Sequence, residues 1–281
     1  MKAINAPHAQ SSSLSVSVVV YRPDLEQLES TLVSLASACN ALRDERPALP
    51  LQLYLVDNGG LPHFGAQCAS LREQGVDCIV ISGHGNVGYG RGHNLAIERT
   101  RSRYHLVLNP DIDMDRHALR KAFEFFDTHP QAGLLTPWIG DEAGRQQFLC
   151  RRYPALLDLV VRGFAPASVR RLFSGRLMRY EMRDVINDRD IAWDPPIVSG
   201  CFMLFRTDVL KQLAGFDPRY FLYFEDYDLS LRAHDITRVV YMPAVRVLHH
   251  GGGAARKGSA HMRMFMASAY RFFNRFGWKW L

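Results

Sequence analysis

The sequence predicts an α/β fold built on a central sheet. Short apolar runs rich in β-branched residues alternate with longer segments of helical periodicity, the pattern of strand–helix–strand units. Successive strand-like runs end in polar groups, at Tyr21-Arg22, Asp57-Asn58 and Asp111/Asp113, and parallel strands would bring these ends to one sheet edge. A chain of 281 residues that is 47% hydrophobic can bury a sizeable core, in one large domain or two intimately packed halves.

Taken in order, Leu14 to Val20 reads as the first strand. Pro23-Asp24 opens a helix with the apolar stripe Leu28, Leu32, Leu35, Cys39 and Leu42. Leu51 to Val56 is a second strand, a helix covers part of Pro62 to Gln74, and Cys78 to Ile81 is a third strand. A glycine-rich loop from Ser82 to Gly92 precedes a helix that begins at Asn94. Tyr104 to Leu108 is the fourth strand. Pro110 has no N–H for a ladder, so this strand stops and releases Asp111 and Asp113 into the crevice beyond it. After Asp115 a helix places Leu119, Ala122, Phe123 and Phe126 on one face. Gly133 to Trp138, Ile197 to Phe205, Arg238 to Tyr241 and Ala244 to Leu248 read as strands. His261 to Phe276 is an amphipathic helix with Met262, Phe265, Met266, Ala269, Phe272, Phe273 and Phe276 on one face.

Composition narrows the function classes. The net charge of +6 admits nucleic acid, an anionic membrane surface or phosphorylated substrates as partners. Five scattered cysteines without a CxxC pair read as reduced thiols of a cytosolic protein, not a disulfide frame or zinc site. No apolar run approaches the ~20 residues of a membrane span. Residues 1–13 lack the apolar core of a signal peptide and read as a loose tail.

Four stretches carry chemistry. Asp111 and Asp113 are two hard oxygen donors, suited to Mg²⁺ or Mn²⁺ shared with a phosphate; the alternative is a polar turn before a helix capped by Asp115. Gly83-His84-Gly85-Asn86-Val87-Gly88 matches GxGxxG, with Asp111 about twenty residues beyond, so a dinucleotide oxidoreductase competes. The fingerprint, however, belongs to a first strand–helix–strand unit, and this copy follows the third strand. Glu225-Asp226, among Tyr223, Phe224 and Tyr227, can supply a carboxylate base, whereas Asp228 and Arg232 form an i,i+4 pair of structural type. His249-His250 before Gly251-Gly252-Gly253 suggests metal ligands at a strand end. Gly200, inside an apolar strand, suggests close backbone approach by a ligand. Arginines between Arg162 and Arg183, interleaved with Leu172, Phe173, Leu177 and Met178, suit a membrane surface or an acidic acceptor. Arg263, Arg271, Arg275 and Lys279, with Trp278 and Trp280, keep membrane contact open at the C-terminal helix.

The ordered series Val18-Val19-Val20-Tyr21, Val56-Asp57-Asn58, Asn86-Val87-Gly88-Tyr89-Gly90, Asn94, Leu108-Asn109-Pro110-Asp111, Val198-Ser199-Gly200, Gly215-Phe216-Asp217, Phe224-Glu225-Asp226-Tyr227-Asp228-Leu229, Arg232 and His249 resembles family 2 glycosyltransferases of the GT-A fold. The likeness covers roughly residues 14–253 and is greatest to the rhamnosyltransferase branch that builds bacterial surface polysaccharides of the lipopolysaccharide type. It implies a Rossmann-like nucleotide-binding half (14–113) with a mixed central sheet, an acceptor half (114–253) and a C-terminal amphipathic helical segment (254–281). It implies a nucleotide-sugar donor, dTDP-L-rhamnose before other UDP- or GDP-sugars, held by Tyr21, Asp57, Asn58, Asn86, Gly88, Arg91, Asn94, Asn109 and Asp111. The implied divalent cation is bound by Asp111, Asp113 and His249, with His250 as the alternative to His249. Asp226 matches the catalytic base, with Glu225 as the alternative. Arg151, Arg152 and Gly200 would receive a glycan or lipid-linked acceptor, and nucleic acid is not an implied partner. The expected place of work is the cytoplasm, at the inner face of the membrane.

Overall fold

Alternation along the first strand sets the two layers. In a computed structural model describing residues 13–62, 64–251 and 258–281, β1 (Leu14–Val20) sends Leu14, Val16, Val18 and Val20 into one apolar layer and Val19 into a second on the opposite face. Both faces are covered, so every residue of β1 is buried. α1 (Leu25–Glu45) packs on the first face through Leu28, Leu32, Leu35, Cys39 and Leu42, and Asp24 caps it by accepting from the Glu26 and Gln27 N–H groups.

The chain continues through β2 (Leu51–Asp57), α2 (Gly65–Glu73), β3 (Asp77–Ile81), α3 (Tyr89–Arg99) and β4 (Tyr104–Leu108). Then come β5 (Ile112–Met114), α4 (Ala118–Thr128), β6 (Ala132–Gly140), α5 (Leu156–Phe164), α6 (Ala167–Leu172) and α7 (Ser174–Tyr180). The last elements are β7 (Ala192–Trp193), β8 (Phe202–Arg206), α8 (Thr207–Gln212), α9 (Glu225–Ala233), β9 (Arg238–His249) and α10 (Ser259–Phe276). The sheet order is β3-β2-β1-β4-β8-β6-β9-β5, with β7 beside β9. β1 to β4 are mutually parallel where they pair, and β8 is antiparallel to both its neighbours, so the sheet is mixed. Register decides what meets at the edge. Val20 lies opposite Asp57, Val18 opposite Leu108, and Leu108 opposite Phe202. Tyr21, Asp57, Asn109 and the turn at 199–201 therefore share one edge.

The structure corrects the sequence reading in four places. α3 starts at Tyr89, not Asn94, because Gly90 and Gly92 serve close packing: a Cβ on either would stand 2.8 Å from Phe216 or Val19. Ile112–Met114 is a strand, paired with β9, and not an extension of the strand end before it. The strand expected from Ile197 begins only at Phe202, since Ile197 is bridged to Arg151 and 199–201 turns. The two strands expected over 238–248 are one, with a register irregularity where β6 passes Pro137-Trp138.

All five cysteines are free and buried. No helix of the described residues is long and apolar enough to cross a membrane. α10 docks through Ala269, Phe272 and Phe273 against Leu159, Tyr220 and Phe224, while Met262 and Met266 at its start stay exposed. Arg275 anchors it, donating to Asp217 and to the buried Asp228 at 2.7 Å each. Asp228 also accepts from Arg232, as the i,i+4 spacing predicts. Residues 1–12 of the expected tail and the expected boundary at 253/254 lie outside the described residues.

Candidate active site

At the open edge, Asp57 turns the chain after β2: its Oδ1 accepts from the N–H groups of Gly59 (2.8 Å) and Leu61 (3.3 Å). Tyr21 is half exposed, and its ring lies against Gly59 with the Arg22 guanidinium 5.4 Å above it. Asn58 is buried; its Nδ2 donates to the Gly88 carbonyl and its Oδ1 meets His84 Nε2, both at 3.0 Å. Asn86 is exposed and accepts from the Gly88 N–H. Asn94 brackets the 215–216 turn, donating to the Phe216 carbonyl (2.7 Å) and accepting from its N–H (2.9 Å). Arg91 donates to the Pro218 carbonyl. Of the expected donor-binding set, Asp57, Asn58, Asn86, Gly88, Arg91 and Asn94 thus all spend polar groups on building the turn and the loop. Tyr21 remains at its strand end. At the N-terminus of α3 the first N–H is already engaged, since Tyr89 donates to the Phe221 carbonyl at 3.0 Å. A dinucleotide pyrophosphate would need that N–H free.

Beyond β4 the two expected metal acids separate. Asp113 accepts from the Ser30 hydroxyl (2.8 Å) and faces His250 Nε2 (2.9 Å), whose Nδ1 meets Glu142 (3.1 Å). Burial pushes His250 down, but these two carboxylates outweigh it and hold its pKa above the ordinary value. Asp111 instead faces His249, with Oδ1 3.5 Å from Nε2. Burial pushes the Asp111 carboxyl up; His249 and Asn109 outweigh it and keep the acid below its usual range. Among the described residues no three acids, histidines or cysteines gather as a metal site, so the expected Asp111, Asp113 and His249 set is not brought together. The pair that remains does fit a cation. Asp111 Oδ1 is buried with no hydrogen-bond donor among the described residues. Gln147 Nε2 donates to the His249 carbonyl (3.0 Å), which turns its Oε1 toward Nδ1 (3.2 Å) and fixes the proton there. With Nδ1 so engaged, Nε2 is the ring nitrogen turned toward the Asp111 carboxylate, and an imidazole nitrogen beside a carboxylate oxygen is a donor pair that a divalent cation accepts. Gly251 makes the cradle: a Cβ would stand 2.1 Å from Asp111 Oδ2 and 2.7 Å from His249 Nε2.

Asp111, His249 and Gly251 line a cleft of about 1000 Å³ together with Gly200, Glu225 and Asp226. The acids open α9, and the residues before them are strained: Tyr223 and Phe224 hold φ of 70° and 65°. Asp226 Oδ2 accepts from the Gly200 N–H at 3.0 Å. The Gly200 carbonyl accepts from the Tyr89 hydroxyl (2.7 Å), which also lies 3.0 Å from Asn109 Oδ1. A Cβ on Gly200 would press on Asp226 Cβ (3.3 Å) and the Tyr89 ring (3.4 Å), so glycine lets backbone and carboxylate meet. Burial pushes both acids up. Glu225, 5% exposed and with Oε2 unpartnered, is driven to about 8 by burial and the adjacent Asp226. Backbone N–H groups and Arg151 partly offset the rise at Asp226. A charge on Asp226 thus holds the neighbouring Glu225 toward its protonated form.

Arg151 and Arg152 do not line this cleft. Arg151 is buried behind it, bonded reciprocally to Ile197 through the backbone, and Arg152 forks onto Asp184 at 2.8 and 2.7 Å. The cations that do line it are Arg162, Arg170, Arg171 and Arg183. The sequence marks this basic segment as a membrane or acidic-acceptor contact but does not place it at the cleft. Nor does the sequence single out Tyr89, although it lies within the Asn86 to Gly90 motif.

A family profile described as glycosyl transferase family 2 matches residues 15–214. The chain is 29% identical over 279 residues to an N-acetylglucosaminyl-diphospho-decaprenol L-rhamnosyltransferase of Mycobacterium tuberculosis (strain ATCC 25618 / H37Rv), covering 92% of this chain and 83% of that protein. It is 27% identical over 205 residues to rhamnosyltransferase WbbL of Escherichia coli (strain K12), covering 69% and 73%. Among solved structures, S. aureus TarS 1-349 in complex with UDP-GlcNAc superposes with a TM-score of 0.58 at 15% identity, over 93% of this chain and 67% of that one. GalNAc-T7 with UDP, GalNAc and Mn²⁺ gives 0.64 at 12%, over 95% and 48%. At such identities these structures speak for the fold, which is the GT-A fold.

Proposed function

This chain belongs to glycosyl transferase family 2, and on that premise we propose that it transfers L-rhamnose from dTDP-L-rhamnose, with inversion, to a lipid-linked glycan in bacterial surface-polysaccharide synthesis. Rhamnosyltransferase relatives, one named for a diphospho-decaprenol substrate, support the sugar and the acceptor class. The observation that carries the chemistry is one cleft holding both the Asp111–His249 pair and Asp226.

Asp226 takes the proton of the acceptor hydroxyl as that oxygen attacks C1 of the donor sugar. The C1–O bond to the diphosphate breaks on the opposite side, and the diphosphate leaves with the electron pair. The Gly200 N–H fixes Asp226 Oδ2, and burial raises its basicity. Protonated Glu225 adds no second charge beside it. Asp111 and His249 would hold Mg²⁺ or Mn²⁺, which when bound neutralises charge on the departing diphosphate; Mn²⁺ in the GalNAc-T7 structure supports this. Asp113, balanced by His250, is left out of that set. Residues 14–113 would serve the donor and 114–253 the acceptor. Exposed Met266, Tyr270, Trp278 and Trp280 near basic residues support peripheral contact with the inner membrane face in the cytoplasm.

Replacing the base tests this. Asp226→Asn should lower turnover of dTDP-L-rhamnose by about 10²–10⁴. Calorimetric binding of dTDP in Mn²⁺, weakened by EDTA, should persist in the variant. Wild-type turnover by Asp226→Asn would remove the base assignment. Preference for UDP or GDP over dTDP would change the donor, and metal-independent binding of NAD alone would remove the transferase reading of the cleft.

A further inference from the structure

Two of the four arginines that line the cleft have no side-chain partner among the described residues. Arg162 and Arg183 bracket Glu181 at 3.2 and 2.6 Å. Arg170 and Arg171, exposed on α6, form no side-chain hydrogen bond or ion pair among the described residues, yet both line the cleft. Apolar side chains surround them instead: Val160, Phe164, Val169, Leu172 and Met178 are all exposed, Leu172 to 82%. A second cavity of about 270 Å³ opens beside the first between α5 and α10, walled by Leu159, Phe164, Phe224, Met262 and Phe265. Arg162, Glu225 and Asp226 line both.

A sugar nucleotide has no use for an apolar rim, and a soluble glycan has no use for unpaired arginines. An amphiphile with an anionic head uses both. Resting on the reading of this cleft as the transfer site, we infer that Arg170 and Arg171 bind the diphosphate of an isoprenoid-diphosphate-linked acceptor, whose first isoprene units enter the cavity between α5 and α10. The acceptor's sugar then lies toward Asp226, which borders both spaces, and the donor's diphosphate belongs at Asp111 and His249. The lipid chain leaves over Val169 and Leu172 toward the membrane.

The test titrates farnesyl diphosphate, farnesol and inorganic diphosphate into the full chain, with and without dTDP and Mn²⁺. Farnesyl diphosphate should bind more tightly than either fragment and should not displace dTDP. Arg170→Gln/Arg171→Gln, a change on exposed side chains, should weaken farnesyl diphosphate roughly tenfold or more and leave dTDP unchanged. Phe164→Ser should weaken farnesyl diphosphate and leave inorganic diphosphate unchanged. Undiminished farnesyl diphosphate binding in the double variant overturns the proposal. So does displacement of dTDP by farnesyl diphosphate, which would give the arginines to the donor, or equal binding of inorganic diphosphate, which would reduce the site to an anion pocket. Absence of dTDP binding to the wild type would instead defeat the donor reading and leave the arginine result to stand or fall by itself.

Discussion

Glu225 tests how this fold sets charge at its cleft. Its side chain is 5% exposed, its Oε2 meets no donor among the described residues, and the next residue is another acid. Burial, then the Asp226 charge, push its carboxyl up from 4.5 to about 8. Between those values the folded protein keeps a proton that the unfolded chain has released. Stability therefore falls as pH rises through that window, by about 1.4 kcal/mol per unit. Below it both states are protonated and nothing is lost; above it the loss is complete. At pH 7 the accumulated cost is on the order of 3 kcal/mol. Glu225→Gln mimics the protonated acid and cannot ionise. It should match the wild type near the acid end of the window and exceed its stability by about 3 kcal/mol at pH 7. Urea unfolding of both proteins across the window gives the difference curve, in which other titrating groups cancel. A packing difference between acid and amide shifts that curve without changing its slope. A flat difference would refute the reasoning, because Glu225 would then ionise in the fold as an ordinary carboxyl does.

Two further outcomes follow from close contacts. Gly251→Ala puts a methyl group where Asp111 Oδ2 and His249 Nε2 now stand, so both side chains must move. Mn²⁺-dependent dTDP binding should weaken about 10–100-fold with little change in melting temperature; unchanged binding would mean that Asp111 and His249 do not share a cation. His105 is wholly buried between Ser15 and Ser17, and burial, then Lys211, hold it down to about 3. The unfolded chain takes up a proton below about pH 6.5 that the folded chain refuses, so stability should fall with pH from there toward 3, by about 1.4 kcal/mol per unit. His105→Gln should remove that slope, whatever it costs at pH 7, and an unaltered acid slope would count against it.

Most of the fold was legible because local pattern and tertiary role agree. β1, β4 and the stripe of α1 lie where apolar spacing predicts, since each buries what the sequence makes apolar. Disagreement arose where polar or small residues are buried. Ser15 and Ser17 interrupt an apolar strand, yet they face His105 and His93 in a hydrogen-bonded chain beneath α3. Gly90 and Gly92 read as loop because glycine is a poor helix former, but Phe216 and Val19 leave room for nothing larger. The arginines of α6 read as a membrane-surface or acidic-acceptor contact, and only tertiary placement turns them toward the cleft.

The metal pair shows where the limit lies. Asp111 and Asp113 look equivalent in sequence, and so do His249 and His250. The fold sorts them into Asp111–His249 and Asp113–His250, and their surroundings make the pairs chemically opposite. Glu142 joins Asp113 around His250, favouring an imidazolium whose charge already balances the acid. Gln147 engages Nδ1 of His249, so Nε2 is the nitrogen turned toward Asp111, whose buried Oδ1 has no hydrogen-bond partner among the described residues. A divalent ion gains little from the first pair, whose negative charge is spoken for, and completes the second. That distinction comes from Gln147 and Glu142, which lie more than a hundred residues before the histidines they orient. Neither belongs to a ligand motif, and the spacing of the four candidate ligands contains no trace of them.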